Sequence, residues 1–293
     1  MRRRDFIRGV AGSAATWPLA AGGQQGDQMR RVGVISSYGE KDSLGQASAA
    51  AFKRDLEQLG WFEGRNIQLD FRFASGDPTL YKKYAAELVG MSPHAILAGT
   101  SPAVAALQPL TRTIPIVFLL VVDPIGQGFA ESLARPGGNI TGFSSYDAPI
   151  LGKWLELLRE IDPNLKRVTV IFNPDTAPFA ELLNRSIGAA ARPLRLTVTL
   201  APVHDDEAIE AAITAQATEP GGSVLILPDS FSVTHRKTII EAAARYRLPA
   251  FGMSDLFPRD GGLMSYGIDI VDMYVRGASY IDRILNQTDR PAD

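Results

Sequence analysis

The sequence predicts an α/β fold of two Rossmann-like lobes, each with a parallel sheet, joined by a hinge. Three observations carry this. Short β-branched runs alternate with longer segments of helical period from Arg31 onward. The alternation stops at a Gly/Pro-rich stretch, 135–149, and then starts again. At 293 residues and 45% hydrophobic content, the chain is long enough to bury two cores. Strands that alternate with helices are joined by crossovers, which makes each sheet parallel and covers both of its faces.

In the first half, "VGVIS" (32–36) has the composition of a buried strand, and 45–60 reads as a helix closed by Gly60. "NIQLDFRF" (66–73) alternates as a strand does, and 78–91 is helical with Pro78 near its start. Strand 94–99, helix 101–110 and strand 114–121 follow. "GQGFAE" (126–131) reads as a helix start.

The second half opens with the amphipathic helix "ILGKWLELLREI" (150–161) and the strand "RVTVIFN" (167–173). Helix 177–192, strand 194–200, helix 206–217, strand 223–229, helix 233–246 and strand 249–252 come next. A second joint is expected at 259–269, followed by a helix, 270–286, that returns to the first lobe. The expected domains are a first lobe of 30–145 with 264–293 and a second lobe of 146–263.

Residues 1–23 have a different character. Arg2-Arg3-Arg4 precede a run in which no charge follows Arg8 until Asp27, and small residues stand at Ala20, Ala21, Gly22 and Gly23. This is the layout of an export signal, with Gln24 as the approximate start of the remaining chain. The paired arginines followed by Asp5-Phe6-Ile7-Arg8 look like a twin-arginine signal. A spanning helix needs roughly 20 strongly apolar residues, and Gly9, Gly12, Ser13, Thr16 and Pro18 dilute this run.

Composition excludes several classes. The formal net charge is −2, and removing residues 1–23 leaves 26 basic against 31 acidic side chains, a net charge of −5. That balance gives no reason to expect nucleic acid as a partner. No cysteine is present, which removes disulfides, thiolate catalysis and Cys-ligated metal. No glycine-rich phosphate cradle follows the first strand and no P-loop occurs, which disfavours a dinucleotide-dependent or nucleotide-hydrolysing enzyme. His94, His204 and His235 lack metal-ligand spacing, and "GTSPA" (99–103) only loosely resembles a nucleophile elbow. We therefore expect no catalytic residues, no metal and no cofactor.

The polar residues of interest follow strands. In an open α/β sheet these loops face the ligand crevice. They supply Ser37 and Tyr38, Thr100 and Ser101, Asp123, Asn173, Asp229 to Phe231, and Ser254, with Tyr146 in the joint. Ser, Asp and Asn before helices are also ordinary caps. As a set, "GTSP" suits a carboxylate, because a helix N-terminus offers free N–H groups. Asp123, expected to be buried, suits an ammonium, since an unpaired buried charge is costly. Tyr38, Tyr146, Phe231 and Phe257 are candidates for apolar walls. The candidate ligand-binding set is Ser37, Tyr38, Thr100, Ser101, Asp123, Tyr146, Asn173, Asp229, Ser230, Phe231 and Ser254, and the chemistry it describes is that of an amino acid.

Beyond the loops, "EGRNIQLDFRFA", "DPIGQGFAESLARPGGNITGFSS", "LGKWLELLREIDP", "VTVIFNP" and "GGLMSYGIDIVDMY" resemble the ABC-transporter substrate-binding family that includes tryptophan- and tyrosine-binding proteins. The resemblance runs nearly end to end. It implies a type I periplasmic-binding-protein fold, whose two lobes close on a solute and deliver it to an ABC permease. It supports Thr100, Ser101 and Asp123 in the first lobe and Asn173 and Asp229 in the second, whereas Tyr38, Tyr146 and Phe231 fall at variable positions. The family pattern runs on past Asp293 with a further strand and helix. This leads us to expect either a truncated sequence or a lobe short of those elements.

The sequence thus describes an exported, periplasmic and monomeric solute-binding protein for an amino acid, aromatic ones included. The alternatives are the ligand-binding part of a sensor with the same fold and a Rossmann-type enzyme.

Overall fold

The computed structural model describes residues 29–146, 148–252, 254–287 and 291. The export-signal reading of 1–23 therefore lies outside the described residues.

The first lobe begins with β1 (Arg30–Ser36), α1 (Ser43–Gln58), β2 (Ile67–Phe73) and α2 (Pro78–Gly90). It continues with β3 (Ala95–Thr100), α3 (Ser101–Leu107), β4 (Ile116–Val121) and β5 (Ile140–Ser144). All five strands are parallel, in the order β2-β1-β3-β4-β5. Because helices cover both faces, the central strands are apolar throughout, and Val32, Val34 and Ile35 are fully buried. Helix starts are set by local chemistry. The Asp42 carboxylate accepts from the N–H groups of Leu44 and Gly45, and that of Asp77 accepts from Thr79 N–H ahead of Pro78's helix.

The second lobe repeats the scheme. It holds α4 (Ala148–Ile161), β6 (Arg167–Phe172), α5 (Ala180–Ala191), β7 (Thr197–Pro202) and α6 (Asp206–Gln216). Then come β8 (Gly222–Ile226), α7 (Ser230–Thr234), α8 (Arg236–Arg245), β9 (Ala250–Gly252), α9 (Leu256–Arg259) and β10 (Met264–Ser265). Its parallel sheet runs β10-β9-β8-β6-β7, the same winding as the first. Trp154 of α4, fully buried, anchors this core, with its ring 5.4 Å from that of Tyr146 and 6.3 Å from that of Phe251.

The last helix, α10 (Ile270–Leu285), returns to the first lobe and packs on α1 and the β3–β4 face. Its buried residues Ile270, Met273, Tyr274, Ala278, Ile281 and Leu285 recur at helical spacing. Each large apolar side chain so buried contributes about 1.5–3 kcal/mol of transfer free energy. Gly277 lets the helix approach, because a Cβ there would lie 2.9 Å from a Leu119 methyl. The chain thus crosses between lobes twice, once after β5 and once at 266–269.

The structure corrects four boundaries. The stretch 135–149, expected to be a joint, contains β5. Here Gly142 sits at φ +152, and a Cβ on it would meet the Phe118 carbonyl oxygen at 2.0 Å, so only glycine fits beside the irregular β4–β5 register. The expected second lobe ended at 263, but Met264–Ser265 pairs with β9, so the return crossing falls after Ser265. Helix 233–246 is two helices broken at His235. Residues 126–131 form turns where a helix start was expected, because Asp123 accepts from Gly126 N–H and holds a turn there.

Candidate functional site

A doubly wound sheet binds ligands outside the carboxyl ends of its strands, at the point where connections diverge to opposite faces. In this chain those points lie between β1 and β3, and between β6 and β8. The loops at 36–38, 100–101, 173–176 and 227–230 therefore converge, and the two lobes turn these loops toward one another. Between them lies a cavity of about 60 Å³. A buried water needs about 10–15 Å³ on this measure, so the space holds a few waters in this closed arrangement.

Six of the eleven sequence-predicted residues line the cavity: Tyr38, Thr100, Tyr146, Asp229, Ser230 and Ser254. Apolar side chains make most of the remaining wall, among them Leu120, Ile226, Val233, Phe257, Ile268 and Ile270. Burial pushes the Tyr38 hydroxyl pKa well above its ordinary value, with the neighbouring Tyr274 and Tyr146 adding to the effect. Burial also pushes that of Tyr146 up to about 12. Both rings thus present uncharged hydroxyls at neutral pH.

The other five predicted residues stand behind the wall or outside it. Ser37 Oγ lies 2.7 Å from Thr100 Oγ1 and braces it. Ser101 is buried and accepts from Gln127 Nε2 at 3.0 Å. Asn173 closes a local turn, its Oδ1 accepting from Asp175 N–H at 2.8 Å. Phe231 packs into the second core and stacks on His235, with centroids 4.0 Å apart.

Asp123 needs a correction. It is half-buried, sits at φ +46 before Pro124, and its Oδ1 accepts from Gly126 N–H at 2.9 Å. It does not line the cavity. The left-handed backbone turns the carboxylate toward its own loop, where a local donor satisfies it. The expectation of a deeply buried Asp123 facing the crevice is therefore overturned.

Asp229 is the buried carboxylate instead, only 3% exposed. Its Oδ1 accepts from Ser232 N–H at 2.7 Å and Thr176 Oγ1 at 3.0 Å. Its Oδ2 accepts from Ser232 Oγ at 2.8 Å and Asn173 N–H at 3.3 Å. Burial raises the pKa and these hydrogen bonds oppose the rise. A carboxylate has about four lone-pair positions, and all are engaged. Asp229 therefore caps α7 and ties 173–176 to 229–232, with no acceptor position left for a solute.

Sequence reasoning missed Arg236, Ser145, Ile268 and Ile270 as cavity residues. Arg236, 13% exposed at its side chain, donates from Nε to Asp260 Oδ2 at 2.6 Å. Its Nη1 donates to the Val233 carbonyl at 2.8 Å and lies 3.9 Å from Asp42 Oδ2 across the lobe boundary. Nothing in "SVTHRKTII" distinguishes it from an ordinary surface cation. A second polar contact across the boundary joins the Tyr81 hydroxyl to Ser230 Oγ.

His94 has a structural role, since its Nδ1 accepts from Arg31 N–H at 3.1 Å. Among the described residues, no group of three or more His, Cys, Asp or Glu is placed to hold a metal ion. No helix among them is long and apolar enough to cross a membrane.

The profile of the family described as "ABC transporter substrate binding protein" matches residues 31–293. The chain belongs to that family. Its members are extracytoplasmic proteins that bind small solutes and interact with an ABC permease, and the two parallel-sheet lobes are those of type I periplasmic binding proteins. A curated relative, the tyrosine-binding protein of Clostridioides difficile strain R20291, is 28% identical over 236 residues, covering 80% of this chain and 67% of its own. Among solved structures, a conserved domain protein from Vibrio cholerae O1 biovar El Tor superposes with a TM-score of 0.82 at 28% identity. It covers 90% of this chain and 87% of its own. An ABC domain from Streptococcus pneumoniae, solved in complex with L-Trp, superposes with a TM-score of 0.80 at 22% identity over the same shares. At that identity the likeness concerns the fold.

Proposed function

We propose that this substrate-binding protein takes an aromatic amino acid between its lobes and hands it to an ABC permease, with no catalytic step of its own. The observation that carries the proposal is the cavity at the facing switch points, walled by Tyr38, Tyr146, Phe257 and isoleucines, with hydroxyls at Thr100, Ser230 and Ser254. A largely apolar slot with a few placed polar groups is what an amphipathic solute requires. The tyrosine-binding relative and the L-Trp complex of the same fold support the aromatic class.

Ser37, Ser101, Asn173, Phe231 and Asp123 act in this proposal by holding the loops that carry the contacting residues. The cavity of about 60 Å³ has room for only a few waters, so a solute enters when the lobes part and is enclosed when they close. We further propose that the protein is exported as a monomer to the periplasm by the twin-arginine route, on the strength of Arg3, Arg4 and the run that follows them.

The test is native mass spectrometry of the purified protein, followed by calorimetric titration with L-tyrosine, L-tryptophan, L-leucine and L-glutamate. Binding confined to the aromatic pair is the expected result. Heat from glutamate alone, or from none of the four, overturns the proposal. For the route, replacing Arg3 and Arg4 by Lys should abolish export, and continued export would point to the general secretion pathway.

A further inference from the structure

One hydroxyl group on the cavity wall, that of Ser145, is buried with no hydrogen-bond partner among the described residues, and the Tyr38 ring lines the same wall. Ser145 lines the cavity, and its Oγ is buried without a hydrogen bond. Tyr38 is 4% exposed. Its backbone N–H donates to Ser36 Oγ, and its ring lines the same wall as Ser145. Both are held in place. Ser145 N–H donates to the Val121 carbonyl at 2.9 Å, which fixes it to the first sheet. Tyr38 is wedged against α1, where a Cβ on Gly45 would come within 2.9 Å of its own Cβ.

The remaining polar groups of the wall each make at least one hydrogen bond within the protein. Thr100 bonds Ser37, Ser230 lies against Tyr81, and Asp229 accepts four bonds. Arg236 donates to Asp260 and Val233, and Ser254 Oγ accepts from Leu256 N–H. A buried hydroxyl with no partner is unfavourable and uncommon in folded proteins. Such a hydroxyl at Ser145, with the Tyr38 ring on the same largely apolar wall, points to a partner that arrives with the solute. That partner is uncharged, because seating an ammonium or carboxylate against neutral hydroxyls in an apolar wall leaves its charge uncompensated.

We propose that Tyr38 and Ser145 recognise an uncharged hydrogen-bonding group on the apolar body of the solute, a phenol hydroxyl or an indole N–H. They make the pocket selective for tyrosine-like and tryptophan-like solutes over phenylalanine-like ones. The inference rests on the reading of this cavity as an aromatic-solute site. It is separable from the amino-acid part of that reading, because the tip of the solute is tested without its amino-acid end.

The experiment compares p-cresol with toluene by ligand-observed NMR, and L-tyrosine with L-phenylalanine by calorimetry. It uses the full chain, Ser145→Ala and Tyr38→Phe, with melting temperature as the check on folding. The unaltered protein should prefer p-cresol and L-tyrosine by about tenfold or more, since a site built for a hydrogen bond rejects the analogue lacking it. Each variant should cut that preference about fivefold and leave toluene and L-phenylalanine within about twofold of the unaltered protein.

No preference for p-cresol in the unaltered protein overturns the inference, and so does a preference that both folded variants retain. A uniform loss across all four compounds also overturns it, because it would mark a purely structural role. Selective p-cresol binding with no amino-acid binding leaves the inference standing and removes the amino-acid reading. Amino-acid binding without discrimination between p-cresol and toluene does the reverse.

Discussion

The Tyr81 hydroxyl lies 3.2 Å from Ser230 Oγ, and both atoms are buried, although Tyr81 belongs to the first lobe and Ser230 to the second. Beside them the backbone at Gly76 approaches that of Ser230 and Phe231, where a Cβ on Gly76 would find the Phe231 nitrogen at 3.5 Å. These contacts exist only while the lobes are together, so they bias the balance between open and closed forms.

Tyr81→Phe removes the interlobe hydrogen bond and keeps the ring that α2 buries in the first-lobe core. A buried neutral hydrogen bond is worth about 0.5–1.5 kcal/mol net, so the closed-to-open ratio should fall about two- to tenfold. Small-angle X-ray scattering of the unliganded protein reads this as a larger radius of gyration. An unchanged profile would mean that the contact does not influence closure.

Asp42→Asn separates two roles of one side chain. Asp42 caps α1 and also lies 3.9 Å from Arg236 Nη1 of the other lobe. Asparagine is an equally good cap, so melting temperature should change little, while the interlobe ion pair disappears. The expected outcome is a more open protein at low salt and a difference that shrinks at 1 M salt, where the Debye length is about 3 Å. A salt-independent difference would argue for a packing effect.

Asp229→Ala leaves the N–H groups of Asn173 and Ser232 and the hydroxyls of Thr176 and Ser232 without their acceptor. Stranded buried donors cost about 1–3 kcal/mol each when they find no substitute. Water entry will relieve part of this, so we expect a loss of about 2–4 kcal/mol in urea unfolding. A stability change below about 0.5 kcal/mol would contradict the assignment of Asp229 as the knot between these loops.

Alkaline pH should destabilise the fold. Burial pushes both Tyr146 and Tyr274 up to about 12, against an ordinary value of 10.0. Between those values the unfolded chain loses protons that the folded one keeps, so stability is intact below pH 10 and falls as pH rises toward 12. Each group contributes a slope of about 1.4 kcal/mol per pH unit. Tyr146→Phe should flatten the decline measured by urea unfolding between pH 9.5 and 11.5. An identical slope would indicate that Tyr146 titrates normally.

The sequence by itself determined the architecture. Period and β-branching are local properties, and they marked most strands and helices of both lobes together with the restart after the hinge. Capping is equally local, and the residues chosen at strand ends did fall at the switch points, so Tyr38, Thr100, Asp229, Ser230 and Ser254 reached the cavity. β5 was hidden because Pro136, Gly137 and Gly138 before it and Gly142 within it read as joint chemistry.

Only the tertiary structure decided which way the loop side chains face and what they meet. Asp123 turned to its own loop because a left-handed backbone and a donor three residues on satisfied it there. Arg236 and Ser145 became cavity residues through the closure of two lobes, and the Tyr81–Ser230 contact spans 149 positions. Such pairings arise when distant hydrophobic faces pack, and no local pattern of residues encodes them.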